Sequence, residues 1–112
     1  MTNNRALVIQ ESQTQSFDDD AFMTTRNLVA EYCNSSAAAL YAIKSVRYRC
    51  IVISMDMQRE NPIEIIGALR DAENESGIAP TQILVAGKTL QLTRAEMSKF
   101  NISAQIRSHH LK

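Results

Sequence analysis

The side chains of this sequence that could carry chemistry are few and scattered. His109 and His110 are adjacent, with neither a partner one helical turn away nor a cysteine nearby, so they read as solvated residues and not as metal ligands. Cys33 and Cys50 read as reduced, small hydrophobes of a core, and neither is assigned a catalytic role. Asp18, Asp19 and Asp20 form an acidic run that reads as solvated surface on or beside a first helix, with an electrostatic recognition patch as the alternative. From Val85 onward, Lys88, Arg94, Lys99, Arg107 and Lys112 stand against Glu96 alone, a local balance of +4, and the rest of the chain carries −4.

The whole chain has 112 residues, with 12 Lys+Arg against 12 Asp+Glu and a formal net charge of zero. That balance argues against a generic nucleic-acid binder, whose affinity comes from cations releasing phosphate counterions. An apolar fraction of 45% with three glycines and two prolines belongs to a globular chain, and the length supports one domain over residues 1–112 with a core that needs neither metal nor disulfides. No apolar run reaches the ~20 residues of a bilayer span. The opening MTNNRALVIQES lacks a basic stretch leading into an apolar one, so no signal peptide is read and a cytoplasmic location is expected.

Short apolar runs alternate with longer helical patterns. Ala6 to Ile9, Cys50 to Ile53 and Ile83 to Ala86 are consecutive apolar stretches rich in β-branched residues, which predicts strands covered on both faces. Leu28 to Cys33 reads as a strand or a helix end, and Ser103 to Arg107 as an edge strand. Pro62 to Glu75 carries Ile63, Ile66, Leu69 and Ala72 at helical spacing, with Pro62 suited to the first turn and Gly77 to a C-terminal cap. Ser35 or Ser36 offers an N-cap to a helix with Ala39, Leu40 and Ile43 on its apolar stripe. Gln13 to Thr25 predicts a first helix placing Phe17, Ala21 and Phe22 inward. Thr93 to Phe100 predicts a short helix opened by a capping box of Thr93 and Glu96. The resulting β-α-β-α-β-α-β-α-β order predicts a parallel sheet with helices on both faces.

The segment CIVISMDMQRENPIEIIGALRDAE, preceded by EYCNSSAAALYAI, resembles the CheY-like receiver domains of two-component response regulators over nearly the whole chain. Met57, Ile63 and Glu64 match the family's residues after its third strand, and Ala39 and Leu40 match its second helix. The resemblance implies an α/β, flavodoxin-like, doubly wound sheet of five parallel strands in the order 2-1-3-4-5, and it favours the strand reading of Leu28 to Cys33. It places the family's phosphoacceptor position at Ser54 and its two acids after the first strand at Gln10 and Glu11. Its phosphoryl-contacting hydroxyl corresponds to Ala86, its Lys-Pro to Ser108 and His109, and its switching aromatic to Gln105. Receiver chemistry needs an aspartate nucleophile and clustered carboxylates around magnesium, so these replacements imply a degenerate receiver, not an enzyme, with Mg2+ binding weak or lost and no other cofactor.

Asp56, two residues past Ser54, reads as a solvated loop acid, with a displaced phosphoacceptor as the alternative. The principal functional expectation is a phosphorylation-independent interaction module in bacterial two-component signalling. It would act as inhibitor, competitor or adaptor for a histidine kinase, a response regulator or an output enzyme such as a cyclic di-GMP enzyme. The basic residues Lys88, Arg94, Lys99 and Arg107, with Gln105, fall on the fourth helix and fifth strand, the face that receivers use for dimers and partners. The family's fifth helix has only HHLK to represent it, so apolar sheet surface beside the first helix is expected to need a partner, a second copy or a longer regulator to cover it. No membrane partner is expected.

Overall fold

Consecutive apolar residues on three central strands require cover on both faces, and the arrangement of elements supplies it. The computed structural model describes residues 4–11, 19–87 and 92–107, with the side chains of 19–21 and 107 left out of the description. Nine elements follow in order: β1 (Arg5–Ile9), α1 (Asp19–Arg26), β2 (Val29–Cys33), α2 (Ser36–Ser45), β3 (Cys50–Ser54), α3 (Pro62–Ser76), β4 (Gln82–Gly87), α4 (Arg94–Phe100) and β5 (Ile102–Arg107). The five strands form one parallel sheet in the order β2-β1-β3-β4-β5, as the resemblance implied.

Strand alternation divides the core in two. Leu7, Ile9, Ile51, Ile53, Ile83 and Val85 point to the face covered by α2, α3 and α4, where Ala39, Ile43, Ile65, Ile66 and Leu69 meet them. Ala6, Val8, Cys50, Val52, Leu84 and Ala86 point to the other face, where α1 contributes Phe22 and Met23. Cys33 packs with the first cluster and Cys50 belongs to the second, so the sheet itself lies between the two free thiols.

The helix boundaries follow local signals. Ser35 Oγ accepts from the Ala38 amide at 3.2 Å and caps α2. Asn61 caps α3 ahead of Pro62, and Gly77 ends it at φ 69, a left-handed conformation that suits glycine. Thr93 and Glu96 form the expected capping box of α4.

α1 is described over Asp19–Arg26, ending one residue past the expected Thr25, and the expected stretch from Gln13 to Asp18 lies outside the described residues. It buries Phe22, as expected, and Met23, which was not. Phe17, Asp18 and the Ala21 side chain lie outside the described residues. Leu84 and Ala86 are buried, and among the described residues a groove beside α1 reaches half-buried Ala104 and Ile106 on β5. Four helices are described, and no fifth is present among the described residues. None of these helices is long and apolar enough to cross a membrane.

Candidate functional site

Ligand sites of open parallel sheets lie at the carboxyl ends of strands, where the connections diverge to opposite sides. In this sheet that point is the end of β1, flanked by β2 and β3. Ile9 pairs with Ile53, so Gln10 and Ser54 follow on neighbouring strands, and Ser54 in turn pairs with Ala86 on β4. The sequence-predicted pocket residues Gln10, Glu11, Ser54 and Ala86 therefore converge at one end of the sheet. Ser108 and His109, which would complete the set from the fifth strand, lie outside the described residues, as does His110.

The floor of this site is closed and weakly polar. Ser54 is 5% exposed, and its Oγ accepts the Asp56 amide at 3.1 Å, fixing the turn that leaves β3. Ala86 is 3% exposed and offers only its backbone carbonyl, which accepts from the Met55 amide at 2.7 Å. Gln10 is equally buried, and its amide N–H donates to the Cys33 carbonyl at 3.0 Å. The Gln10 Oε1 has no hydrogen-bond partner among the described residues. Asp56, two residues after Ser54, is half-buried.

Glu11, the one acid retained at the paired-acid positions, is committed to the backbone of the β3–α3 connection. Its Oε1 accepts the Gln58 amide at 2.7 Å, and its Oε2 accepts the amides of Arg59 and, at 3.3 Å, Glu60. The Gln58 amide is the main cause of a carboxyl pKa held below the usual 4.5; partial desolvation opposes it, and the Arg59 and Glu60 amides and the Arg59 charge add to the lowering. The same connection is anchored at its other end, where the Glu60 carboxylate accepts the Ser36 amide at 3.0 and 3.2 Å at the start of α2. Two carboxylates thus latch residues 58–60 between β1 and α2. No group of three His, Cys, Asp or Glu side chains suited to a metal occurs among the described residues.

The second surface singled out by the sequence is the α4–β5 face. Arg94 and Lys99 are exposed on α4, and the Lys99 ammonium lies 5.3 Å from the Phe100 ring centroid. Lys88 and the Arg107 side chain lie outside the described residues. Gln105 is half-buried and not displayed for contact: its Nε2 donates to the Leu92 carbonyl at 3.1 Å and approaches Met97 Sδ at 3.2 Å, while its Oε1 accepts the Leu92 amide at 3.3 Å. It clamps the start of α4 onto β5.

Sequence reasoning missed the Glu11 and Glu60 latches, because each joins residues far apart in the chain and no local spacing marks them. It also missed Arg70 and Glu73. Arg70 donates to the carbonyls of Phe100, Asn101 and Thr81 at 2.9, 2.7 and 2.8 Å and pairs with Glu73 at 2.8 Å, binding α3 to the β4 and β5 entries.

No protein-family model matches the sequence, and no curated protein matches it. Solved structures do match. The receiver domain of the histidine kinase CKI1 from Arabidopsis thaliana, determined with Mg2+, is 15% identical, with 93% of this chain and 82% of that chain covered at a TM-score of 0.71. The receiver domain of the response regulator Ssk1 from Saccharomyces cerevisiae, crystallised with the histidine phosphotransfer protein Ypd1, is 13% identical over 94% and 78% of the two chains, at 0.72. A CheY-like receiver domain from Methylobacillus flagellatus is 14% identical over 95% and 86%, at 0.70. The strand order, the helices and these likenesses agree: the chain has the fold of a CheY-like response-regulator receiver domain.

Proposed function

We propose that this chain is a degenerate receiver that regulates signalling by binding a protein, without being phosphorylated itself. The observation that carries this reading is the use of Glu11: both its oxygens are occupied by the amides of residues 58–60, where a receiver would need carboxylates turned toward magnesium. Gln10 supplies no charge, Ser54 no carboxylate nucleophile and Ala86 no hydroxyl, so the residues present do not fit a magnesium-assisted phosphoryl transfer.

Binding, not catalysis, is then the function. The β3–α3 connection is latched at both ends, and Gln105 is hydrogen-bonded to Leu92 and Met97, which ties the start of α4 to β5. A rigid scaffold of this kind competes for a surface that a phosphorylatable receiver would otherwise occupy. The partner classes are a histidine kinase or phosphotransfer protein, a response regulator, or an output enzyme such as one handling cyclic di-GMP. The Ssk1 receiver's complex with Ypd1 supports the first of these. Arg94 and Lys99 supply exposed cations for such a contact.

Incubation with radiolabelled acetyl phosphate and Mg2+ tests the reading, with beryllofluoride binding followed by amide NMR in parallel. The expected result is no incorporation and no shifts around Ser54. Acid-labile label that disappears in Asp56→Asn would establish Asp56 as a displaced acceptor and overturn it.

A further inference from the structure

Parallel strands are stable when helices cover both faces of the sheet. Among the described residues the two faces are unequally served: α2, α3 and α4 pack on one, and the eight-residue α1 alone on the other. Beside α1 lies an open groove of about 380 Å³. Phe22 and Leu28 form one wall, and Cys50, Leu84, Ala104 and Ile106 contribute the floor from β3, β4 and β5.

Its charge is one-sided. Arg26 and Arg49, both exposed, line the groove, and no carboxylate does so among the described residues. Arg26 is pre-positioned: its guanidinium lies 3.9 Å from the Phe22 ring centroid and its Nη1 donates to the Phe22 carbonyl at 3.5 Å, which leaves its remaining N–H groups directed by a stacked plane. Both cations act on the Cys50 thiol, opposing the rise in pKa that burial imposes, so their fields meet over the floor.

We propose that this groove docks an amphipathic acidic helix of a partner protein, its apolar side chains seated on Leu84, Ala104 and Ile106 and its carboxylates paired with Arg26 and Arg49. A helix is the element that covers a parallel sheet face, an apolar floor with two cations selects carboxylates on that helix, and a polyanion such as nucleic acid would leave the floor uncovered. The proposal rests on the interaction-module reading but is independent of the pocket at Ser54, so phosphoryl labelling and groove binding fail separately.

The probe is a labelled synthetic peptide of about 15 residues, helical, with leucines at i, i+3, i+4 and i+7 and glutamates flanking them. Titrated against the full chain by anisotropy and amide NMR, it should perturb Leu84, Ala104 and Ile106 and bind about tenfold more weakly to Arg49→Glu and to Arg26→Glu/Arg49→Glu. A peptide with lysine in place of glutamate should recover binding to the Arg49→Glu protein, which distinguishes charge pairing from damage to the fold. Absence of binding at about 1 mM peptide, or binding indifferent to charge reversal, overturns the proposal. So does a concentration-dependent dimer in sedimentation that Arg49→Glu abolishes, since the occupant would then be a second copy.

Discussion

The Glu11 carboxylate accepts the backbone amide of Gln58 at 2.7 Å, joining the end of β1 to the connection that follows β3. Because this bond and its neighbours lower the Glu11 pKa below 4.5, they contribute stability above the ordinary glutamate pKa and lose it as pH falls through the folded value. Glu11→Gln should therefore melt below the wild type at neutral pH. The two proteins should converge as the pH drops below about 4.5 in thermal melts followed by circular dichroism.

Ser54→Asp restores the family's acid in name only. A carboxylate at a site 5% exposed meets the Asp56 amide, but the buried Gln10 beside it adds no positive charge. Desolvation should raise its pKa by roughly 2–3 units and cost about 3–4 kcal/mol at pH 7, relieved in acid. Urea unfolding at pH 7 and pH 4 measures both halves of this expectation, and acetyl phosphate should still fail to label the variant.

Arg70→Met strands the Glu73 carboxylate, which is 3% exposed and among the described residues otherwise receives only the Thr81 amide at 2.8 Å. Removing one member of a buried pair costs about 3–5 kcal/mol, and Arg70→Met/Glu73→Leu should recover a large part of that. Equilibrium denaturation of the single and double variants gives the comparison.

Gln105→Ala removes three contacts to Leu92 and Met97. The expected cost is about 1–2 kcal/mol, concentrated locally, so amide hydrogen exchange should accelerate across residues 92–97 while β1 and β3 stay protected. Uniform acceleration throughout the sheet would contradict the clamp.

Burial pushes the Cys33 thiol up to about 11, and it raises that of Cys50 as well. At pH 8 roughly one Cys33 in a thousand is thiolate, so alkylation by iodoacetamide should be slow and rise steeply with alkali. Mild oxidation should leave both thiols free within one chain, because they belong to clusters on opposite faces of the sheet.

The parts of this structure that could be read in advance are those set by neighbours in sequence. Ile51, Val52 and Ile53 are all apolar because β3 is covered on both sides, and Thr93 with Glu96 announces α4 within a single turn. The positions of Gln10, Ser54 and Ala86 were legible through the receiver likeness, since their strands end in register. What each side chain does there was not. Glu11 could have been a metal ligand or a backbone latch with the same spacing, and only the path of residues 58–60 decides between them. Gln105 likewise reads as a surface residue of an edge strand until Leu92 is placed beside it. Met23 falls inside the expected helix, but an inward stripe drawn through Phe17, Ala21 and Phe22 does not include it.

The register of the sheet also governs the order in which the protein can be assembled. Ala6 pairs with Cys50 and Ile9 with Ile53, so β1 has no neighbour on its inner side until α1, β2, α2 and β3 have all followed it out of the ribosome. Every other strand contact also spans a helix, and such distant pairings slow folding. β1 can pair with β2 earlier, but its inner side must wait for β3, so the centre of the sheet forms only once Ser54 is free of the ribosome, and β5 is the last of the five strands to be added.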